Sequence, residues 1–79
     1  NPEVNLPSYY IELGKLQKLE KEYSATQTSF SAAVDLATGD LKELKLLDTI
    51  FRDLKETAQL EKVKNKIKEI IKETTNSAT

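Results

Sequence analysis

The sequence predicts an all-α fold, a small up-down helical bundle built on a long antiparallel hairpin that turns at Gly39. Three observations predict it. Both prolines, Pro2 and Pro7, lie within the first seven of the 79 residues, so no proline interrupts a helix from Ser8 onward. Apolar residues recur at spacings of three and four in both halves, and no alternating β-branched run marks a strand. A single clear turn signal, Thr38-Gly39-Asp40, separates the halves.

The first arm should start near Pro7 or Ser8, because proline fits a first helical turn whose N–H has no partner anyway. Residues 1–7 then read as an extended lead. From Tyr9 a heptad spacing runs through Leu13, Leu16, Glu20, Tyr23, Gln27, Phe30, Val34 and Ala37, and seven of these nine positions are apolar or aromatic. Phase kept over about 30 residues favours one long helix. Its weak stretch is Ser24-Ala25-Thr26-Gln27-Thr28-Ser29, where hydroxyls compete with the backbone for hydrogen bonds, and a kink or break there is the alternative to the continuous helix. Gly14 costs roughly 1 kcal/mol against alanine in a helix interior, which its leucine neighbours can offset.

Gly39 suits the left-handed position past a helix end. Asp40 can cap the next helix, with Glu43 three residues on in a variant of the capping box. The second arm runs to about Thr74 without glycine or proline, and residues 74–79 read as a frayed polar tail. Its main apolar stripe is Leu44, Leu47, Phe51 and Leu54. Between Leu54 and Leu60 the stripe slips phase, with only Ala58 in the core layer and Thr57 as a possible N-cap. The alternative architecture is therefore a three-helix bundle with a second turn near Thr57. In the simple hairpin, residue i faces residue 78 − i, since both arms rise about 1.5 Å per residue. Val34 then meets Leu44, Phe30 meets Leu47, and Tyr23 meets Leu54.

Composition narrows the chemistry. The chain holds no cysteine and no histidine, which excludes disulfides, Cys- or His-ligated metal and catalytic triads or dyads built on either residue. Twelve basic residues against 13 acidic ones give a net charge of −1, too balanced for a nucleic-acid footprint. The two glycines lie 25 residues apart, so no glycine loop can cradle phosphate. No apolar run approaches the roughly 20 residues that span a bilayer, and the first residues lack the pattern of a signal peptide. Absence of cysteine fits a reducing cytoplasm and also an exposed Gram-positive cell surface. Neither a cofactor nor a small-molecule substrate is implied, and no enzymatic activity is expected.

Two segments invite a functional reading. On the second arm, Leu46 and Ile50 fall at or beyond the edge of the main stripe, where a single facing helix covers only about 100° of surface. With Leu54 they form a candidate face for a protein partner or a second copy of the chain. A third helix folded back from Thr57 would cover the same residues. The segment Leu60–Glu73 carries five lysines and three glutamates, a local net of +2. Without Trp, Phe or Arg among them, these lysines read as a solvated face rather than a membrane or nucleic-acid surface. The spacing Asp48–Arg52–Glu56 is an ordinary ladder on an exposed helix face. Tyr9 and Tyr10 can cap the open end of the hairpin.

Overall fold

A computed structural model describes residues 6–77, with side chains to residue 73. It is all-α: four helices, and no strand among the described residues. They are α1 (Pro7–Leu19), α2 (Tyr23–Ala37), α3 (Leu41–Leu54) and α4 (Thr57–Ser77). The chain divides into two compact units, Asn1–Ala37 and Thr38–Thr79. In the first, α1 packs on α2; in the second, α3 packs on α4.

In the first unit the expected single long helix is two helices. The alternative break at 24–29 is not where the helix ends: that stretch lies within α2, and the chain reverses at Glu20-Lys21-Glu22. Lys21 adopts a left-handed conformation, φ 63°. The Glu22 N–H donates to the Gln17 carbonyl at 2.8 Å and the Lys21 N–H to the Lys18 carbonyl at 3.0 Å. That pair of bonds is a Schellman motif, which satisfies carbonyls a helix end would otherwise leave bare. The Glu22 carbonyl then accepts from the Thr26 N–H at 2.9 Å, opening α2. The hydroxyl-rich stretch stays helical because its donors are used. Thr26 Oγ1 donates to the Glu22 carbonyl at 2.9 Å and Thr28 Oγ1 to the Ser24 carbonyl at 3.2 Å. Ser29 Oγ donates across to Gln17 Oε1 on α1 at 2.6 Å.

Phe30, Ala33, Val34 and Ala37 of α2 are fully buried, with Thr26 and Ser29 beside them. On α1 the buried residues are Ile11 and Gly14. A Cβ built on Gly14 would lie 2.6 Å from Phe30 Cδ1 and nearer still to Cε1. The Phe30 ring thus lies directly on Gly14, where only a glycine leaves it room. Gln17 against Ser29 and Gly14 against Phe30 show that α1 and α2 run antiparallel.

In the second unit Asp40 caps α3 as its sequence suggests, its Oδ1 accepting from the Glu43 N–H at 3.2 Å. Gly39 before it has φ +91°, in the region that favours glycine. Leu44, Leu47 and Phe51 are buried, following the expected stripe. The phase slip after Leu54 is a turn of the same design as the first. Lys55 sits at φ 61°, and the Glu56 N–H donates to the Phe51 carbonyl at 2.9 Å. The Glu56 carbonyl accepts from the Leu60 N–H, so Glu56 holds the N-cap position expected of Thr57. The core layer there also differs: Ala58 is exposed and Gln59 is buried, with Val63 following.

Two turns therefore divide the expected arms, at Lys21 and Lys55. The 78 − i pairing presupposes unbroken arms, and neither is unbroken. The three-helix alternative has its second turn where expected and lacks the one at Lys21. Residues 1–5 of the expected lead and 78–79 of the expected tail lie outside the described residues. Pro7 is already helical, and α4 continues to Ser77.

Candidate functional site

Helix α1 has two apolar sides. Ile11 and Gly14 face α2. At 100° per residue, Tyr9, Leu13 and Leu16 lie roughly 160° around the helix from them. These three belong to the heptad stripe expected at the seam between the arms. Because the chain turns back at Lys21, α2 packs on the other side of α1 and leaves Tyr9 and Leu16 outward, with Leu13 half-buried between them. Leu16 is 58% exposed and Tyr9 41%. At the edge of the same side Leu19 is 80% exposed. Leu6, at the N-cap, extends the row and is itself about half exposed.

The row borders an open groove of about 460 Å³ lined by Leu6, Ser8, Tyr9, Glu12, Leu13 and Leu16. Among the described residues its polar groups are the Ser8 and Tyr9 hydroxyls and the Glu12 carboxylate. Glu12 pairs with Lys15 at 3.3 Å, one turn along the helix and open to solvent. The rings of Tyr9 and Tyr10 meet edge to face with centroids 5.1 Å apart, which fixes the orientation of Tyr9 beside the groove. Such a wall offers van der Waals contact and desolvation. It offers little that would orient a polar reactant.

Of the face expected on the second arm, Leu46 is 53% exposed, while Ile50 and Leu54 are half-buried. All three lie on α3 at i, i+4 and i+8. Arg52 pairs with Asp48 one turn before it, as the ladder spacing suggests. On α4 the lysines Lys64, Lys68 and Lys72 stand exposed at four-residue steps. No group of three acidic, cysteine or histidine residues gathers among the described residues to hold a metal ion. Nor is any described helix long and apolar enough to cross a membrane.

The spacing leaves Leu46 at the edge of its stripe, open to a partner or to a covering helix, and sets Tyr9, Leu13 and Leu16 in the seam. The signal that takes these three out of it is the charged triplet Glu20-Lys21-Glu22, which cuts the stripe without glycine or proline. Compared with protein-family models, curated proteins and solved structures, the chain matches none.

Proposed function

We propose that this chain is a helical protein-interaction module with no enzymatic activity of its own, presenting the outward face of α1 to a protein partner. The supporting observation is the row Leu6, Tyr9, Leu13 and Leu16 on the side of α1 away from α2. Monomers seldom leave contiguous apolar surface of more than a few hundred Å² open unless it binds something. Leucine and tyrosine at spacings of three and four suit a helix laid into a groove, where anchors recur once per turn. Leu46, Ile50 and Leu54 on α3 form a second, smaller surface of the same kind.

A paired capture experiment tests this reading. Tagged wild type and a Leu13→Glu/Leu16→Glu variant, both checked for helix content by circular dichroism, are exposed to the same cell extract. The wild type should retain at least one protein, counting untagged copies of the chain itself, that the variant loses. Identical retention by two equally helical proteins contradicts the assignment.

A further inference from the structure

We infer that the occupant of the α1 groove is a second copy of this chain, its α1 laid antiparallel on the first across a two-fold axis. The inference rests on the reading of α1 as a protein-binding face and names what binds. The row occupies positions 6, 9, 13 and 16, a spacing of three, four and three that reads the same in either direction. An antiparallel copy centred at the level of residue 11 sets Leu6 against Leu16 of the second copy and Tyr9 against its Leu13. All four layers close apolar on apolar, and none is left facing a charge. The next position in the spacing, Glu20, ends the row, so the seam is complete within α1. A two-fold contact uses the same patch on both chains, and this patch is its own complement.

Area and charge agree with that occupant. The exposed parts of the seam residues Leu6, Tyr9, Leu13 and Leu16 come to about 350 Å² per chain, or about 700 Å² for the pair. An area of that size belongs to weak, transient contacts and lies well below the ~1,600 Å² of a standard interface, so half-dimerisation is expected on the order of 100 micromolar. A net charge of −1 leaves little repulsion between copies. At the axis Glu12 lies near Glu12 of the second copy, and each is accompanied by its own Lys15 at 3.3 Å. The flank is thus two neutral pairs rather than two bare carboxylates.

Sedimentation equilibrium from 5 to 500 µM tests the inference on wild type, Leu16→Glu and Leu46→Glu. Leu16 is largely exposed, so its substitution leaves the fold intact, which circular dichroism verifies. Wild type and Leu46→Glu should rise from about 9 towards about 18 kDa, whereas Leu16→Glu should stay monomeric across the range. As a check on register, Glu12→Cys should oxidise to a covalent dimer at least fivefold faster than Leu46→Cys. Wild type that stays monomeric throughout overturns the second copy as occupant, while leaving the capture experiment to decide whether α1 binds another protein. A dimer that survives Leu16→Glu, or one that Leu46→Glu dissolves, also overturns it, as does equal oxidation at the two cysteines.

Discussion

Position 14 shows how a single residue's role reverses between sequence and structure. By helix propensity alone, Gly14→Ala should stabilise α1 by roughly 1 kcal/mol. The methyl group it adds would overlap the Cδ1–Cε1 edge of the Phe30 ring, which is fully buried and must shift to admit it. Overpacking of that kind costs about 1–3 kcal/mol, so the net expectation is destabilisation. Urea unfolding checks the sign, and Gly14→Ala combined with Phe30→Leu should recover part of the loss. Phe30→Ala alone removes the ring and should cost about 3–5 kcal/mol. At Asp40 no such reversal occurs. The carboxylate caps α3 as read from D-x-x-E, and Asp40→Ala should cost about 1 kcal/mol in the same assay. Capping is a local rule, legible from four residues, whereas close approach involves a residue 16 positions away.

At the scale of elements, helix type and the turn at 38–40 were legible because both depend on local chemistry. The turn at Lys55 was half legible, since the apolar stripe slips phase there. The turn at Lys21 was not, because the heptad spacing continues across it with Glu20 in an apolar slot. The turns at 21 and 55 both use the pair Lys-Glu, with lysine in a left-handed conformation that costs a residue with a Cβ roughly 1–2 kcal/mol. Packing of α1 on α2 and of α3 on α4 offsets that cost, a tertiary gain that propensity does not encode. Lys21→Gly therefore provides a test of sign. At a left-handed position glycine should raise stability by up to about 1 kcal/mol, less whatever it adds to the freedom of the unfolded chain. Inside a continuous helix the same change would lower stability by about 1 kcal/mol. Lys55→Gly should behave like Lys21→Gly, and thermal unfolding of the two variants checks both.

At the scale of the whole chain, each expected long arm is a pair of helices packed on one another, α1 on α2 and α3 on α4. Phe30, Val34 and Ala37 of the heptad stripe are buried as expected, while Tyr9, Leu16 and Tyr23 of the same stripe are exposed. One stripe thus serves two purposes, and the reversal at Lys21 divides them. The candidate face on α3 was partly legible because Leu46 falls outside the stripe on its own helix. The face on α1 was not, because its outward orientation follows from a turn that periodicity conceals. Everything proposed for α1 depends on that turn.

The absence of native cysteine makes a direct measurement clean: spin labels at Ser8→Cys and Leu36→Cys, with the distance between them read by double electron–electron resonance in dilute, magnetically isolated samples. Both sites are exposed, one near the start of α1 and the other near the end of α2. With α1 and α2 antiparallel and their axes about 8–10 Å apart, the labels should lie within about 20 Å of each other. One unbroken helix would hold positions 8 and 36 about 42 Å apart. A distribution centred near that longer distance would contradict the reversal at Lys21 and return the α1 row to a continuous arm.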